Sequence, residues 1–112
     1  MNLRLADSVP TAGGAVFLQT KSGLPYVVDS FCLSRVLQYG WHPRKSRFGT
    51  YLYRKKRIAG KTKYIAMHRW LIHAKPGLEV HHRNGNTLDN RLQNLELLTP
   101  EFHASLHRNR RK

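Results

Sequence analysis

The chain has 112 residues, about one domain's length, and sets 20 Lys and Arg against 6 Asp and Glu for a formal charge of +14. That excess goes beyond what solubility needs and favours an anionic partner. A single cysteine, Cys32, excludes an internal disulfide and a thiolate metal cluster, and no apolar run approaches the ~18 residues that span a bilayer.

In chain order, residues 1–15 read as a flexible N-terminal segment, because Pro10 and the Gly13-Gly14 pair break any periodicity. "MNLRLADSVPTAGGAVF" lacks a signal-peptide core, so the sequence reads as a cytoplasmic protein that is neither secreted nor membrane-bound. "AVFLQT" and "LPYVVDS" read as short strands. "SFCLSRVLQYG" (Ser30–Gly40) predicts a helix, capped by Asp29 or Ser30 and stopped by Gly40, with Cys32 as a small buried residue. Trp41 follows as a core anchor.

"GTYLYRKKRIAGKTKYIAMHRW" predicts a hairpin that turns at Ala59–Lys61. Six of the residues from Arg54 to Lys63 are Lys or Arg. Such a run is either a solvated hairpin face or a ribbon that tracks phosphates, and the net charge favours the ribbon. Arg44, Lys45, Arg47, Arg54, Lys55, Lys56, Arg57, Lys61 and Lys63 are the candidate phosphate contacts in this half. Few acidic residues, with five Tyr, four Phe and two Trp, fit nucleic acid better than a membrane surface. A short helix over Arg69–Ala74 is expected to stop before Pro76 and Gly77. Its Trp70 and Leu71 read as core, and His68 and His73 as structural histidines.

The last third, "EVHHRNGNTLDNRLQNLELLTPEFHASLHRNRRK", holds four of the seven histidines. It predicts a strand over Leu78–Asn84, a reversal at "NGN", a strand over Asn94–Thr99, and a helix from Pro100 to about Asn109 with Thr99 as N-cap. On that helix His103 and His107 are four apart and share a face, the spacing of metal-binding helices. A strand packed there can bring a third imidazole. Because adjacent strand residues point to opposite faces, one of His81 and His82 can ligate while the other acts beside the metal. Three protein ligands leave a metal open for chemistry, whereas a structural zinc site is closed by four. Within the loop, Leu88, Leu92 and Leu95 are expected to pack inward, Asp89 and Arg91 to pair, and Asn90 to bond backbone. The basic "RNRRK" tail, with Arg108, Arg110 and Arg111, and Arg83 beside the histidines add candidate DNA contacts.

From about Leu78 to His107 the segment resembles HNH endonucleases, the ββα-metal nucleases of phages and mobile introns. The resemblance rests on "HH" at His81-His82, the loop "RNGNTLDNRLQNL", Asn94 opening the second strand, and His103 on the helix. The phage and homing branch often carries Asp where this chain has His81 and Asn where it has His103; the HxxxH ending at His107 looks more like the colicin nucleases. The resemblance implies His82 as general base and Asn94 as the fastener of the loop. It implies one divalent metal on His81, His103 and His107, and DNA as partner, in a bacterial or phage-infected cell. The ion could be Zn2+, Ni2+, Mn2+ or Mg2+; an all-imidazole set suits Zn2+ or Ni2+, while Mg2+ prefers oxygen ligands. The expected fold class is α+β: a β-hairpin-rich, DNA-gripping region over 16–70 and the nuclease motif over 71–112. Oligomeric state is not legible, with a monomer slightly favoured. The competing reading is a non-enzymatic nucleic-acid-binding module with a histidine-bound structural metal; a plain basic binding protein without metal is the third.

Overall fold

In the computed structural model the backbone is described for residues 14–110 and the side chains for residues 14–105. The expected N-terminal segment therefore lies almost wholly outside the described residues, as do Arg111 and the side chains of His107, Arg108 and Arg110.

The fold is α+β, and among the described residues it has three antiparallel sheets and short helices. β1 (Ala15–Gln19) pairs with β2 (Pro25–Asp29). β2 carries Tyr26, Val27 and Val28, all buried. The helix expected over Ser30–Gly40 is shorter. A 3-10 turn at Ser30–Cys32 leads into α1 (Leu33–Val36), and neither has a side-chain cap. The expected capping carboxylate is engaged elsewhere: Asp29 Oδ2 accepts the main-chain N–H of Leu92 at 2.7 Å. Trp41 closes this layer with only 5% of its surface exposed, and its Nε1 donates to Val36 O.

The second sheet contains a strand that the sequence reading lacked. β3 (His42–Ser46) lies beside β4 (Gly49–Ile58), which pairs in turn with β5 (Lys61–Ala66). β3 has no apolar alternation and every residue in it is exposed. It is an edge strand, where Pro43 is tolerated. The β4–β5 turn falls at Ala59-Gly60, both with positive φ, which matches the twist of a two-residue hairpin.

α2 (Met67–Ile72) begins two residues earlier than expected and ends at His73, whose left-handed φ of 56° returns the chain. β6 (Glu79–His82) and β7 (Leu95–Leu98) form the third sheet, and α3 (Pro100–Arg110) follows with Thr99 Oγ1 accepting Phe102 N–H at its start. The strand–loop–strand–helix order is the expected one.

One core serves all three sheets. Val28, Val36, Trp41, Leu52, Met67, Leu71, Val80, Leu92 and Leu95 form it. Cys32 is buried among them, and Leu88 packs at the edge. Among the described residues no helix is long and apolar enough to cross a membrane.

Candidate active site

β6 alternates as a strand must. Glu79 and His81 face α3, and His82 faces the opposite way, towards β4 and α2. The His81 and His103 rings meet edge to face with centroids 5.4 Å apart. Glu79 Oε1 accepts a hydrogen bond from His103 Nδ1 at 2.7 Å. That leaves His103 Nε2 as the nitrogen suited to a metal, held by a carboxylate as metal-bound imidazoles commonly are.

On the other side, His82 lies 5.3 Å from the ring of His68 and 5.9 Å from that of Tyr51. Tyr51 also meets His68, at 5.1 Å. His82 Nε2 is 2.9 Å from Asn90 Oδ1. Despite the divergence of their rings, His81 and His82 line one crevice with Phe48, Tyr51, Val80, Gly85, Thr87 and His103. A wider depression beside it is lined by Ser46, Tyr53, His68, Arg69 and Glu79.

Burial keeps His82 below the ordinary histidine range, with the Asn90 hydrogen bond opposing it. His68 is pushed down to about 3, by burial first and then by the proximity of His82 and Arg69. Both rings are therefore neutral near pH 7.

The loop from Arg83 to Arg91 is cross-braced by amides. Asn94 Oδ1 accepts the Asn84 N–H, and its Nδ2 donates to Asn84 Oδ1 and to the Asp89 carbonyl. Asn84 Nδ2 donates to Asp89 Oδ2. Arg91 grips both oxygens of Asp89 at 2.8 and 2.7 Å. Burial alone would raise the Asp89 carboxyl, but the hydrogen bonds from Arg91 and Asn84 outweigh it and hold the group below the usual carboxylate range. The loop is also tied to β4, since Thr87 Oγ1 donates to Thr50 O. Here β4 comes so close that a Cβ at Gly49, where φ is 139°, would sit 2.9 Å from the Thr87 side chain.

The basic residues separate by strand register. Residues opposite each other on paired strands share a face. Arg44, Lys55 and Arg57 fall with Tyr51, Tyr53 and Tyr64 on the face that begins at the crevice. Arg44 stacks over Tyr64 at 4.8 Å and over Tyr53 at 5.9 Å. Lys45, Lys56, Lys61 and Lys63 fall on the other face, as does Arg54. Arg54 is not placed as a phosphate contact: it is 7% exposed, and its guanidinium lies 3.8 Å over the Tyr39 ring. Leu52 and Arg54 are the part of that face which packs onto the core layer, so a charge placed there is consumed in cation–π stacking. Arg47 lies in the β3–β4 turn over Phe48, and Arg83 leans on Glu96 at 3.6 Å.

Of the residues singled out in the sequence, the structure brings together His81, His82 and His103, with Asn94 one layer behind. Among the described residues, no three His, Cys, Asp or Glu side chains converge as a ready metal cage. A divalent ion bound there would draw on His81 and His103 and keep several positions open. Four residues beside these histidines were not read as site residues: Tyr51 and Glu79, His68, which was read as structural, and Asn90. Glu79 carried a usable signal, because on a strand it shares the face of His81 two residues on. Asn90 was expected to bond backbone. Its N–H does, to Val27 O at 2.8 Å, but its side chain meets His82.

No curated protein and no solved structure matches the chain significantly. Residues 66–104, which include His68, His81, His82, Asn90, Asn94 and His103, match the family model described as HNH endonuclease. The strand–loop–strand–helix segment of this chain is thus similar to the HNH endonuclease family, a nuclease-type family.

Proposed function

We propose that the protein is a metal-dependent DNA endonuclease in which His82 is the general base. The observation that carries this is the crevice in which a buried, neutral His82 opens beside the His81–His103 pair. A neutral imidazole can accept a proton from water as that water attacks phosphorus, while the bond to the 3′-oxygen breaks. His81 and His103 would hold one divalent ion, and that ion would supply Lewis-acid stabilisation of the phosphate and the leaving oxygen. Imidazole donors favour Zn2+ or Ni2+ over Mg2+. Asn94 keeps the loop in shape behind the base.

The sheet face of Arg44, Lys55 and Arg57 leads to the crevice and supplies the phosphate attraction that orients DNA. Tyr53 and Tyr64 interleave with these cations on the same face. The test is plasmid nicking in Mg2+, Mn2+, Ni2+ and Zn2+ with wild type and His82→Ala. Cleavage should fall about 10²–10⁴-fold in the variant while DNA binding persists. Undiminished cleavage by His82→Ala would overturn the reading, and binding without nicking in every metal would favour a non-enzymatic module.

A further inference from the structure

We propose that Asn90 is a positioning residue for His82: its amide oxygen holds the proton on Nε2 and so makes Nδ1 the nitrogen that receives the proton of the attacking water. The proposal rests on the nuclease reading above for its consequence, but not for its geometry.

Both partners are shielded from solvent, Asn90 at 2% and His82 at 4% exposure. Their 2.9 Å contact is therefore not in competition with water. The direction of the bond follows from what lies on the far side of the amide. Asn90 Nδ2 is 3.4 Å from the thioether sulfur of Met67. A thioether accepts weakly and donates nothing. With the amide turned over, its oxygen would face that sulfur without a proton between them, and a buried acceptor would be left unsatisfied. The observed orientation satisfies both ends. The oxygen then faces His82, and an oxygen can only accept, so Nε2 must carry the proton. In a neutral imidazole the other nitrogen, Nδ1, keeps the lone pair.

Asn90 is itself fixed from behind. Its N–H donates to Val27 O at 2.8 Å, and Val27 N–H donates to Leu88 O at 3.0 Å. A parallel bridge joins Val27 to Asp89. The β1–β2 hairpin thus braces the loop on one flank, and Asn94 braces it on the other. After His82 takes a proton, Nε2–H still donates to Asn90 Oδ1, so the amide dipole stabilises the imidazolium without moving. That is preorganisation in a site with little water.

The experiment uses the full chain, metal-free, with wild type, Asn90→Ala and Asn90→Asp. Proton–nitrogen correlation NMR of the imidazoles reads the His82 tautomer without any need for activity. Wild type should show Nε2–H, Asn90→Ala should lose the preference, and Asn90→Asp, which keeps an acceptor at the same place, should retain it. In nicking assays with added metal, kcat should fall about 10–100-fold in Asn90→Ala, the range for residues that orient an active-site imidazole. KM for DNA should stay unchanged and Asn90→Asp should recover most of kcat. An Nδ1–H tautomer in the wild type would overturn the proposal, as would a folded Asn90→Ala with full kcat. Should Asn90→Ala fail to fold, the wild-type and Asn90→Asp tautomers still decide. Failure of the nuclease reading itself is distinct: it would appear as nicking indifferent to His82→Ala with the tautomer as expected.

Discussion

Replacing Asn94 by Ala tests how the site is held together. The residue is 5% exposed, and its side chain makes the hydrogen bonds to Asn84 N, Asn84 Oδ1 and Asp89 O at 3.0, 3.0 and 2.8 Å. Each is worth about 0.5–1.5 kcal/mol net, so their loss alone amounts to roughly 1.5–4.5 kcal/mol. The Asp89 carbonyl loses a buried donor, which moves the expectation to the middle of that range or above, about 3 kcal/mol. Against a total of ~5–15 kcal/mol for a small domain, that is a large fraction. For a chain of this size it corresponds to a fall in Tm of roughly 12–20 °C.

Urea and thermal unfolding of wild type, Asn94→Ala and Asn94→Asp check it. Asn94→Asp should not rescue, because it keeps the acceptor for Asn84 N–H but sets a carboxylate against Asn84 Oδ1 and the Asp89 carbonyl. At temperatures where Asn94→Ala stays folded, nicking should still be impaired, since the loop that carries Asn90 has lost one flank of its support. A stability loss below about 1 kcal/mol would show that the amide network is not what shapes the loop, since it would fall short of even one or two typical hydrogen bonds.

Two further outcomes follow from the geometry. Arg44→Ala, Lys55→Ala and Arg57→Ala combined should weaken DNA binding and flatten its dependence on log salt by about 2–3, near 0.9 per lost phosphate contact. The matched set Lys45→Ala, Lys56→Ala and Lys63→Ala should do less, Arg54→Ala should reduce stability and leave the salt slope alone, and equal effects from the two triple sets would refute the assignment of faces. For His68, the folded pKa of about 3 lies below the unfolded value near 6.5. Between those values the unfolded chain binds the proton and the folded chain does not, so stability falls as pH falls through this window, by up to ~1.4 kcal/mol per pH unit for one proton. Denaturant midpoints of His68→Gln from pH 7 to 5 should show a shallower decline than wild type, and identical slopes would remove His68 from the neutral cluster.

Much of the C-terminal segment was readable because local rules act there. Strand alternation separates His81 from His82, Thr99 and Pro100 start the last helix, and Leu92 and Leu95 go inward as their spacing requires. Where the reading failed, a distant group had changed the local outcome. Asp29 looked like a helix cap, but Leu92 N–H, far along the chain, takes its carboxylate, and the helix it would have started is only four residues long. β3 was invisible because "HPRKS" has no apolar face; pairing with β4, not burial, makes it a strand. Asn90 was read only as bonding backbone, because its contact with His82 depends on Val27 and Met67 meeting the loop in space.

The charge pattern shows the same division within one segment. Strand alternation alone separates Lys55 and Arg57 from Arg54 and Lys56, so two faces could be drawn from the sequence. Which face would serve DNA on the proposed reading could not, because that depends on where the hairpin meets the histidines. Tyr51 decides it: the tyrosine lies against His68 and His82, and the pairing register carries its face outward through Arg44, Tyr53, Lys55 and Tyr64 to Arg57. Under the proposed function, phosphate attraction on that face would act within reach of His82, while the same charges on the opposite face would raise non-specific affinity without orienting a bond for cleavage. On the proposed reading, net charge sets how strongly the chain would be drawn to DNA, and the position of Tyr51 determines which of those charges could assist cleavage.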